Sequence, residues 1–216
     1  MTSGSIRSMV EKVNLPEPSE MTEEDLIGLF DRSGAVLTNG HFQLRSGWHS
    51  PVFIQYSRIA QDPTNTEKLS RALALLWQGE KPDVVLGPVT IGMLLAEGVA
   101  RHLGVRVAFA TADPAGVFTG LRKGFTVWSG ERVLIVNDVT TTGLGVEQLA
   151  AIARESGGIV AGVALVASRT PAVLQHLRAA TSVNVLLELN ILSYKSEADC
   201  PQCRAGDKPE ESSGYR

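Results

Sequence analysis

The stretch Val133-Leu134-Ile135-Val136-Asn137-Asp138-Val139-Thr140-Thr141-Thr142-Gly143 decides how this chain is read. Its first four residues are apolar β-formers, the pattern of a buried strand. Asn137 and Asp138 follow at the strand's end, and a loop of small hydroxyl residues leads to Gly143. Beyond it Val146, Leu149, Ala150 and Ala153 recur at helical spacing until Gly157-Gly158 stops the helix. A strand, a small polar loop and a helix N-terminus make an anion site. Unpaired backbone N–H groups and the positive end of the helix dipole face one point. The threonine hydroxyls add donors, and Gly143 allows close backbone approach. A phosphate monoester fits that cup, and a carboxylate one or two residues upstream reaches the hydroxyls of an attached sugar. The competing reading of the same residues is an ordinary strand–loop–helix joint of an α/β domain.

The chain around this stretch has 216 residues, enough for one well-cored α/β domain with modest additions. A net charge of −3 and a pI near 5.8 give no reason to expect nucleic acid as the main partner. No apolar run approaches the roughly 20 residues that span a membrane. Residues 1–20 are polar, hold Pro16 and Pro18, lack the apolar core of a signal peptide, and read as a flexible arm. Two cysteines near the C-terminus do not form a secreted disulfide framework, so a reducing cytoplasm is expected.

Outward from the signature, strands alternate with helices. Thr22 caps a helix whose apolar side is Leu26, Ile27, Leu29 and Phe30, with Gly34 at its end. Residues 35–55 alternate imperfectly around Asn39-Gly40 and Ser46-Gly47 and read as a hairpin. A helix is expected over 65–78, a strand over 84–86, a helix over 92–103 and a strand over 105–110. Residues 113–124, with Pro114, three glycines and Arg122-Lys123, read as a long flexible connection. After the signature come a strand over 159–167, a helix over 171–179 and a strand over 183–189. This order predicts an open, mainly parallel, doubly wound sheet flanked by helices, in a single domain over 21–204. The polar tail over 205–216 is expected to be disordered.

Three further segments carry chemistry. Gly87-Pro88-Val89-Thr90-Ile91-Gly92 turns from a strand's carboxyl end into a helix, where ligands bind in open α/β sheets. It reads as a pyrophosphate cradle or as a tight turn whose glycines serve packing. In Gly40-His41-Phe42-Gln43-Leu44-Arg45-Ser46-Gly47-Trp48-His49-Ser50-Pro51, Arg45 beside Ser-Gly suits an anionic substrate, and nearby Phe53 a flat base. The alternative is a structural hairpin with Arg45 solvated and Phe53 in the core. Cys200-Pro201-Gln202-Cys203 is a C-x-x-C pair. A structural zinc takes four ligands, and the chain has no second such pair to complete one, which leaves only the pooling of pairs by two subunits. A thioredoxin-like redox role lacks its strand-to-helix context.

The signature resembles the phosphoribosyl-pyrophosphate (PRPP) motif of the type I phosphoribosyltransferases. Gly40-His41-Phe42 through Ser46-Gly47 and His49-Ser50 are similar to the N-terminal substrate segment of the orotate phosphoribosyltransferases within that group. So are Leu121-Arg122-Lys123-Gly124-Phe125, Gly130-Glu131-Arg132-Val133 and Asp199-Cys200-Pro201-Gln202-Cys203-Arg204-Ala205-Gly206, and the likeness spans about residues 20–206. The resemblance implies a transferase that moves the 5-phosphoribosyl group of PRPP to orotate, giving orotidine 5′-phosphate and pyrophosphate in pyrimidine biosynthesis. It implies PRPP binding by Asn137, Asp138, Thr140, Thr141, Thr142, Gly143 and Gly145, and by Val89, Thr90 and Gly92. It implies orotate binding by Arg45, Phe53, Thr141 and Arg169, and contact of Lys123 or Arg122 with the leaving group.

Mg²⁺ is implied as cofactor, held mainly by PRPP and water. A hood drawn partly from residues 35–56, a mobile lid over 111–124 and a homodimer sharing that lid are also implied. Departures from the pattern are Asn137 for an acid, Thr140 for an aliphatic residue, Gly145 for Ser or Thr, Ile54 for an aromatic, and no arginine in Ala110-Thr111-Ala112-Asp113. They keep open a phosphoribosyltransferase for another base, or a catalytically degenerate PRPP-binding regulatory paralogue.

Overall fold

A computed structural model of the chain describes residues 2–17 and 19–211; Met1, Pro18 and the last part of the expected tail, 212–216, lie outside the described residues. In chain order the elements are β1 (Thr2–Ser3), β2 (Val10–Val13), α1 (Glu23–Arg32), β3 (Val36–Thr38), β4 (Phe42–Gln43), β5 (His49–Ser50), β6 (Phe53–Ile54), α2 (Tyr56–Ala60) and α3 (Pro63–Leu75). Then follow β7 (Val84–Pro88), α4 (Gly92–Leu103), β8 (Arg106–Ala112), β9 (Phe118–Leu121), β10 (Arg132–Thr140), α5 (Leu144–Glu155), β11 (Ile159–Ser168), α6 (Pro171–Ala180), β12 (Val183–Leu189), α7 (Pro201–Arg204) and β13 (Glu210–Glu211).

Seven strands form the central sheet in the order β2-β12-β11-β10-β7-β8-β9. The five from β12 to β8 are parallel, and the edge strands β2 and β9 run antiparallel to their neighbours. The chain moves from β7 to β8 on one side, then crosses to β10 and continues to β12 on the other. The order therefore reverses between β7 and β10, where a crevice opens beyond the strands' carboxyl ends.

Apolar side chains on alternate sides of the sheet feed two cores. Leu134 and Val136 face a core with α1, α3 and α4. Val133 and Ile135 face a second core with α5 and α6. One contact shows how closely the first is filled. Leu134 pairs with Gly162 after a register shift in β11, and a Cβ on Gly162 would lie 1.9 Å from Cη2 of buried Trp77.

Several elements depart from the sequence expectation. The signature strand does not stop at Val136; β10 runs to Thr140, so Asn137 and Asp138 lie within it and on opposite faces. Pairing with β11 carries it on, since Asn137, Val139 and Thr140 lie opposite Leu165, Ala167 and Ser168. Helix α3 begins at Pro63 rather than 65, because Asp62 accepts a cap bond from the Thr64 N–H and proline suits the first turn. Residues 35–55 form two nested pairings, β3 with β6 and β4 with β5, rather than one hairpin.

The stretch 113–124, read as a flexible connection, contains β9 paired to β8. Asp113 builds the turn, its carboxylate accepting from the Val117 N–H at 2.9 Å, and Phe118 is buried. The arm expected over 1–20 carries β2 along β12, with Ile6 fully buried and Asn14 donating to Val185 O. In the tail, β13 lies parallel to β4, and the Glu210 N–H donates to His41 O. In both termini, backbone pairing to an open strand edge does what composition does not reveal.

Candidate functional site

At the carboxyl ends of the parallel strands, β10 pairs with β7 through Ile135 opposite Leu86, and its last residues run on past that ladder. Two loops flank the resulting crevice. Residues 141–143 link β10 to α5, and residues 89–91 link β7 to α4.

The first loop wraps the N-terminus of α5. Gly143 sits at the N-cap of α5 with φ +87°, a left-handed conformation that favours glycine, and itself offers no side-chain cap. The Thr140 hydroxyl has a structural part in the loop. Thr140 is buried, and its Oγ1 accepts from the Gly143 N–H at 3.2 Å, which folds the loop. Thr142 Oγ1 accepts from the Leu144 N–H at 3.4 Å. Thr141 and Thr142 are half-buried at the mouth. Gly145 has a local reason: a Cβ there would lie 3.3 Å from Cε2 of Phe118, whose N–H donates to Gln148 Oε1 on α5. The β8–β9 hairpin thus covers one side of this loop.

In the second loop the Val89 N–H donates to Ala110 O, the Val89–Thr90 peptide is cis, and Thr90 is exposed. The packing role of its glycines is real. A Cβ on Gly87 would meet Ala96 Cβ at 2.4 Å, and one on Gly92 would meet Pro88 Cγ at 2.7 Å. The packing brings the start of α4 close to the strand end, which sets where its N-terminus can meet a ligand.

Asp138 shares strand parity with Leu134 and Val136 and so faces the hood side. Desolvation pushes its carboxyl above the usual range, opposed by backbone N–H bonds and by the charge of Arg45. Tyr56, whose buried hydroxyl has no hydrogen-bond partner, is raised by burial and then by the charge of Asp138. Arg45, Asp138 and Tyr56 therefore converge, and Tyr56 is a residue that the sequence reading missed. The Arg45 guanidinium lies 4.7 Å from the Phe118 ring centroid. Phe53 is half-buried beside Phe42, with centroids 5.7 Å apart, while Ile54 is core, which accounts for an aliphatic residue there.

Arg169 is only 2 % exposed. Its Nη2 donates to Ser50 Oγ at 2.8 Å and to Val52 O at 3.0 Å, and its Nε has no partner. No carboxylate pairs with it among the described residues. Burial lowers its pKa to about 10. Arg169 thus carries a buried charge with no counter-charge, beside the strand that holds Phe53.

Arg122 and Lys123 are exposed and lie past Leu121, which is opposite Ala110. The Arg122 N–H donates to Phe109 O, so both cations follow β9 back from the crevice edge of their own chain. A groove of about 560 Å³ lined by Lys81, Pro82, Asp83, Gly104, Val105 and Arg106 lies at the opposite end of the sheet, away from these loops.

A mainly parallel sheet with two strand-to-helix loops flanking the crevice at its switch point has the architecture in which open α/β proteins bind ligands. The family model of the phosphoribosyl transferase domain matches residues 55–183. An orotate phosphoribosyltransferase of Pelotomaculum thermopropionicum is 40% identical over 186 residues, covering 86% of this chain and 94% of that one. Its counterpart from Thermus thermophilus is 41% identical over 189 residues, covering 87% and 99%. The crystal structure of orotate phosphoribosyltransferase from Aeropyrum pernix superposes with a TM-score of 0.61 at 24% identity, covering 76% and 93%. The chain belongs to the orotate phosphoribosyltransferases, a family built on the phosphoribosyl transferase domain.

Proposed function

We propose that this protein transfers the 5-phosphoribosyl group of PRPP to N1 of orotate, releasing pyrophosphate, as a cytoplasmic homodimer. The observation that carries the reading is Arg169, a buried guanidinium without a carboxylate, beside the hood strand that holds Phe53. It suits an anionic planar base, and relatives of about 40% identity over most of the chain support that choice over other bases.

The 5′-phosphate takes the N-terminus of α5 with the Thr141 and Thr142 hydroxyls, and Asp138 accepts from the ribose hydroxyls with Asn137 beside it. Val89, Thr90 and Gly92 border the diphosphate. Displacement at the anomeric carbon develops positive charge on the ribose and negative charge on the departing pyrophosphate. Catalysis then rests on stabilising the leaving group and excluding water. Residues 111–124, which include β9 and carry Arg122 and Lys123, act as the lid. Because Arg122 and Lys123 lie back from their own crevice, their contact with pyrophosphate falls in a neighbouring subunit.

Mg²⁺ suits loops whose donors are hydroxyls and backbone N–H groups with a single carboxylate, Asp138, since this ion is bound largely through substrate phosphates and water. When bound it neutralises and orients the diphosphate. The test is loss of orotate absorbance with purified protein, PRPP and Mg²⁺. Turnover needing all three is the expected result. No turnover while PRPP binds in calorimetry refutes the reading in favour of another base or a PRPP sensor.

A further inference from the structure

The C-x-x-C pair does have partners, and they are histidines from the far end of the chain. Cys200 and Cys203 flank the first turn of α7, and the hood hairpin brings His41, just before β4, and His49, in β5, up to them. Four ligand atoms, His41 Nε2, His49 Nδ1 and the two Sγ atoms, all lie within 4.8 Å of one another. The two ring nitrogens are 3.1 Å apart. Cys200 Sγ and Cys203 Sγ are each 3.4 Å from His41 Nε2, and Cys203 Sγ is 3.2 Å from His49 Nδ1.

From these distances we propose that the four side chains bind one structural Zn²⁺ ion. Zinc held tetrahedrally by nitrogen at about 2.0–2.1 Å and sulfur at about 2.3 Å sets its donors roughly 3.3–3.8 Å apart, close to the four spacings just given. Two sulfurs and two imidazoles are the donor set that selects zinc over calcium or magnesium. Both cysteines are free thiols. His41, His49 and Cys200 are buried, so water has little access to a coordination position and the site is closed, as structural rather than catalytic zinc sites are. Without an ion, two ring nitrogens would share this buried space with two thiols, all of them lone-pair carriers.

The outer nitrogen of His41, Nδ1, lies 3.4 Å from the Asp207 carboxylate. A carboxylate behind a ligating histidine fixes its tautomer and orientation. The ion would tie the C-terminal segment to the hairpin that carries Arg45 and Ser50, the latter bonded to Arg169. Zinc thus makes the anion-binding side of the hood rigid through a tether that the PRPP loops do not share.

The experiment measures zinc by mass spectrometry in the full chain purified under reductant, then replaces it with Co²⁺. The wild type carries about one zinc per chain, and Cys203→Ser and His49→Gln fall below about a tenth of that, while His41→Cys, which keeps a four-ligand set, retains it. Cobalt in the wild type gives a thiolate charge-transfer band and the intense visible bands of tetrahedral geometry, a readout that does not depend on any variant folding. A zinc-free wild type that gives no such band overturns the proposal, and so does a Cys203→Ser protein that keeps its zinc. Neither measurement uses turnover, so the outcome is separate from that of the orotate assay.

Discussion

Replacing Arg169 with methionine should separate binding from stability. Below neutral pH and up to about 10 the wild-type guanidinium is charged and buried. The fall of its pKa from the ordinary guanidinium range to about 10 corresponds to about 3 kcal/mol that the folded, unliganded protein loses to desolvation. The sign follows from proton binding. The folded state holds this proton less tightly than the unfolded chain, so the penalty is complete below the folded pKa and fades as pH rises past it. Methionine removes the penalty. In exchange, Val52 O loses its donor, which costs about 1–3 kcal/mol, whereas Ser50 Oγ keeps its bonds to Leu192 O and the Val52 N–H.

The unliganded variant should therefore be as stable as the wild type, or up to about 2 kcal/mol more stable, in urea unfolding at neutral pH. Orotate should fare differently, because removing one partner of a buried ion pair costs about 3–5 kcal/mol. At about 1.4 kcal/mol per decade, kcat/KM for orotate falls by roughly two to four orders of magnitude, with KM for PRPP changed less than about threefold. A variant that loses more than about 3 kcal/mol of stability while orotate kcat/KM stays within about tenfold would refute the reasoning and make Arg169 a clip for the hood.

Asp138→Asn exchanges a charged acceptor for a neutral one and should raise KM for PRPP about tenfold. Since desolvation raises the Asp138 carboxyl, wild-type KM for PRPP should climb as pH falls toward a midpoint above 3.8, a limb absent from the variant; an identical pH profile in the two would count against the assignment. Lys123→Ala should lower kcat far more than it raises KM for PRPP. Mixing its subunits with Asp138→Asn subunits should recover activity if the lid crosses the dimer, and no recovery would place the lid within one chain. Gly162→Ala forces a Cβ to within 1.9 Å of Trp77 and should cost about 1–3 kcal/mol or more in urea unfolding; a variant of wild-type stability would show that the indole moves aside.

The parts legible in the sequence were those fixed by neighbouring residues. The α1 cap at Thr22, with its reciprocal bonds to Asp25, follows from residues three apart. The strand–loop–helix signature likewise depends on local periodicity and on a glycine able to take φ +87° at Gly143. Alternation of strands and helices then leaves few topologies, and the parallel sheet follows.

What escaped the sequence depends on the distant chain that each residue meets. The extension of β10 to Thr140 needed β11 alongside it, and β2 and β13 became strands because open edges lay beside them. Gly145 looks like a departure until Phe118 is seen to fill its space. Arg169 gives no local sign that it lacks a counter-charge, because its surroundings are a hood drawn from residues more than one hundred positions away. His41, His49, Cys200 and Cys203 illustrate the same division. Each half offers two ligands and is incomplete alone, and only packing of the C-terminal segment on the hairpin brings four donors within 4.8 Å. Sequence by itself determined the local conformations, the strand–loop–helix signature among them, since short-range sterics and hydrogen bonds set them; tertiary structure alone decided burial, charge balance and the four-donor cluster, since these are properties of the assembled surroundings.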